Sequence, residues 1–166
     1  MDKIRSEIVN NLEKVVINSG LGKISSSGND FEGKILPGII ADFKAITGQN
    51  PSTRTAKISI SGFKLREGSI IGLMSTLRGQ RMADFLMKLN NVVFPRIRDF
   101  RGINKTSVDN SGNLSIGIRE TIAFPEINSD VQRNNFGLEI TLTLKDRAKK
   151  EEALAFYTKI GIPFKK

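Results

Sequence analysis

The stretch Leu138-Glu139-Ile140-Thr141-Leu142-Thr143-Leu144 alternates apolar and polar residues without a break. In a strand, successive side chains point to opposite faces. Leu138, Ile140, Leu142 and Leu144 therefore form an apolar row, and Glu139, Thr141 and Thr143 a polar one. Such a strand packs one face and leaves the other to water or to a partner. Leu114, Ile116 and Ile118 repeat the alternation. They follow Asp109-Asn110-Ser111-Gly112-Asn113, a composition that predicts a turn.

Upstream, Val15 to Asn18 reads as a strand closed by Ser19-Gly20-Leu21-Gly22. Thr53 to Ile60 is rich in β-formers, and Ser69 to Leu77 reads as a further strand in which Gly72 marks a bulge or a close approach. Helical spacing joins Ile4, Ile8 and Leu12, then Ile35, Leu36, Ile39, Ile40, Phe43 and Ile46. Pro37 suits the first turn of that second helix, and Gly48 its end. Met82, Phe85, Leu86 and Leu89 form the face of another helix, expected to stop before Phe94-Pro95. Leu154, Tyr157 and Ile160 mark a last one, closed by Gly161 and Pro163. No regular β-α-β alternation appears. The fold class expected is α+β: a mainly antiparallel sheet with helices packed on one face and the other face open. With no repeat and no linker, residues 1–166 read as a single domain with a short amino-terminal segment, 1–12.

Composition removes much catalytic chemistry. The 166 residues contain no Cys and no His, so disulfides, thiolate metal sites and histidine acid–base catalysis are out of reach. The chain carries net charge +9, unevenly placed. Residues 53–105 hold eleven Lys and Arg against Glu67, Asp84 and Asp99; the rest of the chain is close to balanced. A cationic field this concentrated points to a polyanionic partner, most often nucleic acid. No long apolar run and no basic amphipathic helix favours a membrane. The first residues resemble neither a secretory nor a transit peptide. The expected compartment is the cytosol, or an organelle that encodes the protein.

Three stretches can carry contacts. Lys57 to Gly68 gathers Lys57, Phe63, Lys64 and Arg66 with two glycines. It is either a projecting loop that touches phosphate and stacks Phe63 on a base or ribose, or an ordinary hairpin with Phe63 in the core. Ser75 to Arg81 ends a strand and begins a helix. There Arg78 and Arg81 either grip one backbone segment beside a helix amino end or lie solvated. Phe94 to Gly102 alternates bulk and charge. Arg96 and Arg98 share a face if the segment is extended, and phosphate binding and an internal ion pair with Asp99 both fit. Gly20-Leu21-Gly22 lacks the third glycine of a dinucleotide turn, since residue 25 is Ser25. The expectation is no catalytic residue, no cofactor and no metal.

Several strings, taken in order, resemble one family. They are Glu13-Lys14-Val15-Val16-Ile17-Asn18 with Gly20 and Gly22, Ile46-Thr47-Gly48-Gln49-Asn50-Pro51, Phe63-Lys64-Leu65-Arg66-Glu67-Gly68, and Thr76-Leu77-Arg78-Gly79 with Arg81-Met82. Pro95-Arg96-Ile97-Arg98-Asp99-Phe100-Arg101-Gly102, Gly112-Asn113, Phe124-Pro125-Glu126-Ile127 and Pro163-Phe164-Lys165-Lys166 follow. From about Leu12 to the last residue the chain resembles the bacterial-type ribosomal large-subunit protein L five family, 5S rRNA binders of the central protuberance. The resemblance implies a non-catalytic adaptor, monomeric within the ribosome, that attaches 5S rRNA to the large subunit. By that resemblance Asn18, Gly20, Gln49, Pro51, Thr53, Thr76, Arg78 and Arg81 fall at the 5S rRNA contact. Lys57, Phe63, Lys64 and Arg66 lie on a loop toward peptidyl-site tRNA. Arg96, Arg98, Arg101, Asn110 and Ser111 fall at contacts with large-subunit rRNA or with a small-subunit head protein.

The chain departs from the family pattern in three places. Only about a dozen residues precede the first strand, where a longer helical segment is usual. Ser19 stands where Met is common. Lys149 stands where a Thr or Ser cap is usual, a loss of about 1 kcal/mol. Two other classes compete with the ribosomal reading. A general nucleic-acid chaperone or regulator uses the same basic patch but binds unrelated RNA equally well, and an enzyme needs two converging acids.

Overall fold

A computed structural model describes residues 2–26, 30–63, 65–127 and 135–165. Helix α1 (Asp2–Asn11) runs directly into β1 (Leu12–Gly20). A one-turn helix α2 (Gly22–Ser25) and α3 (Leu36–Thr47) follow, then β2 (Ser52–Thr55), β3 (Ile70–Leu77) and α4 (Gly79–Lys88). The chain continues through the short α5 (Phe94–Arg96), β4 (Leu114–Ile118), β5 (Leu138–Leu144) and α6 (Lys150–Lys159). The strands lie in the order β2-β3-β1-β5-β4, each antiparallel to its neighbour. The sheet is open, as the alternation predicts.

Register decides which residues share a face. Ile17 sits opposite Ser75 and Ile140, and Ile140 opposite Ile116. This row, with Val15, Leu73, Leu77, Leu138 and Leu142, is buried. It packs in one core with Phe43, Ile46, Met82, Leu86 and Tyr157 from the helices. Each large apolar side chain among them contributes about 1.5–3 kcal/mol by leaving water. The intervening residues on the other face, among them Asn18, Thr76, Glu139, Thr141 and Ser115, are half-buried or exposed.

The helix signals also hold. Pro37 lies in the first turn of α3, and Gly48 ends it in the left-handed region at φ 68°. Gly72 meets both halves of its expectation. A Cβ there would stand 2.9 Å from the Ser19 carbonyl oxygen, and the β2–β3 register shifts between Arg54 and Thr55, beside it.

Two expectations need correction. The β-rich run Thr53–Ile60 pairs only as far as Thr55; Ala56 onward leaves the sheet as a loop. The helix begun at Gly79 does not stop before Phe94-Pro95. A wider turn over Leu89–Val93, in which the Phe94 N–H reaches back to the Leu89 carbonyl, carries the helical path into α5. Pro95 then sits in a first turn, where its missing N–H is no loss. The missing cap is observed: Lys149 precedes α6 and its side chain makes no cap bond, while its own backbone N–H donates to the Glu152 carboxylate at 3.4 Å.

Ser19 has a local reason to be polar. It is 3% exposed, and its hydroxyl donates to the Gly137 carbonyl at 2.9 Å, tying β1 to the entry of β5. A Met there has no donor for that carbonyl.

Candidate nucleic-acid interface

Asn18 sits opposite Met74 on one side and Glu139 on the other; Met74 pairs with Ser52, and Glu139 with Gly117. One row thus crosses all five strands on the open face. The next row carries Thr76, Val16, Thr141 and Ser115. Gly20 opposite Gly72 leaves a patch without side chains beside Arg54. The result is a surface of amide, hydroxyl, glycine and one carboxylate around Met74 and Val16, with donors and acceptors of both kinds.

Gln49 and Pro51 enter at the Thr76 end of this face, because β2 begins with Ser52 opposite Met74. Their path is fixed by Thr47. Its hydroxyl lies 3.0 Å from the Gln49 carbonyl, accepts from the Gln49 N–H at 3.3 Å, and is 2.9 Å from the Phe43 carbonyl. Thr53 pairs with buried Leu73, so alternation turns it to the helix side of the sheet, away from Asn18 and Thr76.

Arg78 follows β3 in an extended conformation and begins α4. Its guanidinium bonds the Glu13 carboxylate at 3.1 Å and the Glu13 carbonyl at 3.2 Å. The hydrogen bond from Arg78, and then the charge of Lys14, hold the Glu13 carboxyl below its usual range. The guanidinium stays 56% exposed, so it is oriented without being covered. Arg81 is exposed and has no bonding partner among the described residues. Sequence reasoning treated Arg78 and Arg81 alike, as a joint grip or as two solvated arginines; the structure gives only Arg78 a tether.

The loop 56–69 is pinned at two levels. Ala56 and Ser69, and Gly68 and Ala56, bond at its base; Ile60 and Leu65 exchange bonds near its tip. Phe63 is 73% exposed and Ile58 70%, which removes the hairpin with Phe63 in the core. Lys57 and Arg66 are also exposed. Lys64 lies outside the described residues, as does the final Lys166.

The segment Phe94 to Gly102 is not the extended strand on which Arg96 and Arg98 would share a face. Arg96 closes α5, the chain turns at Arg98 and Asp99, and Asp99 takes φ 52°. The Phe94 and Phe100 rings stack at 4.9 Å, which bends the segment back on itself. Asp99 forms no ion pair among the described residues, so the internal pairing is not realised there.

The turn at Asp109 is tightly built. Asp109 Oδ1 accepts from the Ser111 and Asn113 N–H groups, both at 2.8 Å, and Oδ2 from the Asn113 amide at 2.9 Å. Burial acts to raise the Asp109 pKa, but these bonds, led by Asn113, outweigh it and hold the carboxyl low. Gly112 at φ 84° offers its carbonyl to the buried Tyr157 hydroxyl at 2.8 Å. Asn110 projects from the tip, and Ser111 is half-buried.

Sequence reasoning missed Glu139 as a site residue. It appeared only as one polar position of an alternating strand; the β1–β5 register is what sets its carboxylate beside Asn18. The Glu126 carboxylate pairs with Lys88 at 2.6 Å. Among the described residues no cluster of acids has metal-binding geometry, and no helix is long and apolar enough to cross a membrane.

These features define a class: an open-faced α+β protein that displays polar groups and cations on a surface. Two family models match the chain, "Ribosomal protein L5" over residues 9–66 and the C-terminus of the same ribosomal family over residues 70–164. The chain belongs to the ribosomal protein L5 family, structural and non-enzymatic components of the ribosome. Relatives named large ribosomal subunit protein uL5 agree. That of Halothermothrix orenii is 44% identical over 99% of this chain and 90% of its own length. Those of Mycoplasma mycoides and Desulfatibacillum aliphaticivorans are 44% and 47% identical, each over 93% of this chain and 83% of its own.

Proposed function

We propose that this protein is a large-subunit ribosomal protein that binds 5S rRNA and helps attach it in the central protuberance of a cytoplasmic ribosome. One observation carries the reading. In a chain of this family, Asn18, Thr76 and Glu139 share the open sheet face, and Gln49, Pro51 and Arg78 border it. Such a surface suits RNA: amide, hydroxyl and carboxylate meet sugar and base edges, and a held arginine meets phosphate. Gly20, with no side chain, lets a backbone approach, and Arg81 lies at the rim of this contact; Thr53, turned to the helix side, does not join it. The protein works as a monomer within the ribosome, its two matched halves forming one domain.

The loop with Lys57, Phe63, Lys64 and Arg66 reaches toward peptidyl-site tRNA; the exposure of Phe63 supports stacking there. Arg96, Arg98, Arg101, Asn110 and Ser111 contact large-subunit rRNA or neighbouring proteins, including one of the small-subunit head.

The test is competition at near-physiological salt, with labelled 5S rRNA and excess unlabelled tRNA. Binding that survives supports a specific site. Binding that collapses overturns a specific 5S site on the isolated protein, and leaves either a charge-reading chaperone or a protein that needs its ribosomal neighbours. Arg78→Ala should weaken 5S binding and lower the salt slope by about one unit; an unchanged slope removes Arg78 from the contact.

A further inference from the structure

The two edges of the sheet differ in protection. Edge strand β2 carries Arg54, follows Pro51 and has a register shift against β3. Charge, proline and irregularity are the usual guards of a strand edge. Edge strand β4 reads Leu114-Ser115-Ile116-Gly117-Ile118, with no charge, no proline and an unbroken register against β5. On its outer side Val108 bridges Leu114. Beyond that, Ser115 to Ile118 have no backbone partner other than β5 among the described residues.

Along this bare edge runs a groove of about 840 Å³, whose far wall is the segment 96–104. That wall is held away from β4. The Ile103 N–H donates to the Pro163 carbonyl at 2.8 Å, and the Lys165 N–H to the Ile103 carbonyl at 2.9 Å. Gly102, at φ 94°, has no room for a side chain: a Cβ would lie 2.8 Å from the Phe164 backbone. Among the described residues, the groove therefore stands open beside unsatisfied strand edge. Arg96, Arg98, Arg101, Arg119 and Lys165 line it against Asp99 and Glu120. Apolar surface lies among these charges: Ile122 is 50% exposed, and Phe100 is half-buried.

We infer that the β4 edge docks an extended acidic segment of a partner protein, which adds to the sheet as a sixth strand. Main-chain bonds to Ser115–Ile118 supply affinity, and side chains alternating along the segment supply selectivity. Its carboxylates meet Arg98, Arg101 and Arg119, and its apolar residues meet Ile122 and Phe100. A protein fits better than RNA here. A phosphate backbone carries a charge at every nucleotide and would run against Asp99 and Glu120, whereas a peptide can place an uncharged residue at each. The inference rests on the reading of Arg96, Arg98 and Arg101 as partner contacts, and not on 5S rRNA binding.

The probe is a fluorescent alternating Glu-Val peptide of about ten residues, tested against the full chain by anisotropy and by backbone amide shifts. Saturable binding that shifts the amides of Ser115–Ile118 is expected. Binding should weaken about tenfold or more when Lys replaces Glu in the peptide, when alternate peptide amides are N-methylated, and in the Arg98→Glu/Arg101→Glu variant. Absent binding, shifts away from β4, or indifference to N-methylation overturns the proposal. So does an oligouridylate that occupies the groove and displaces the peptide, which would make this an RNA surface. Labelled 5S rRNA is titrated in parallel: absent 5S binding with intact peptide binding defeats the 5S reading alone, and the converse defeats only this inference.

Discussion

The turn at Asp109–Asn113 and the loop 56–69 both leave the body of the protein, and they are built in opposite ways. The turn spends its polar groups internally: one carboxylate takes three bonds, and the Gly112 carbonyl anchors to Tyr157 in the core. The loop closes on itself through backbone bonds and sends Ile58, Ile60 and Phe63 outward. A pre-ordered turn suits a contact in which position matters, since little freedom is left to lose on binding. An apolar loop tip gains most when a partner covers it. Substitutions in the turn should therefore change stability, and those at the loop tip should leave it almost untouched.

The strongest break is Gly112→Ala. The left-handed φ is strained for any side chain, and a Cβ would fall 2.8 Å from Leu144 Cδ1 and 3.1 Å from the Ala148 carbonyl. A loss of about 3 kcal/mol in urea unfolding is expected. A loss near zero would mean that the turn yields as easily as the loop.

Tyr157→Phe should cost about 1–2 kcal/mol, because the Gly112 carbonyl loses its buried donor. Burial, and secondarily the charge of Asp109, push the Tyr157 phenol well above its ordinary value of 10. The folded state thus favours the protonated phenol. Its contribution is complete below pH 10 and is lost as pH rises toward the raised value. The Phe variant should lack this alkaline loss, as unfolding across that range would show.

Asp109→Asn should cost less, under about 1 kcal/mol, because an amide oxygen still accepts from the Ser111 and Asn113 backbone. Since the carboxyl is held low in the fold, its share is present above the ordinary value of 3.8 and fades as pH falls through the depressed one. Wild type and variant should converge in acid. Smallest of all is Phe63→Ala, expected within about 0.5 kcal/mol of wild type in the same unfolding measurement. The same change should leave 5S rRNA affinity intact while weakening tRNA contact. A large stability loss would place Phe63 in a packed setting and erase the contrast with the turn.

Much of this was legible in the chain because local chemistry and the fold agree. Alternation named the buried rows of β4 and β5, and Pro37 and Gly48 bracketed α3. Errors arose where a local preference met a tertiary alternative. The β-formers after Thr55 leave the sheet and pair only at Ala56 and Ile60, within their own loop. The proline expected to end a helix was absorbed by a wider turn. At the candidate interface the cations were visible as charge, but Arg78 and Arg81 looked alike until Glu13, distant in sequence, held only one of them.

The sequence by itself determined the class of fold, the concentration of positive charge, the absence of thiol and imidazole chemistry, and the family. These depend on residue identity and short spacing, which folding does not alter. Only the tertiary structure decided that Asn18 and Glu139 are neighbours, that Thr53 faces away from them, and that β4 rather than β2 carries the bare edge. Each of these depends on strand order and register, set by the packing of the whole core.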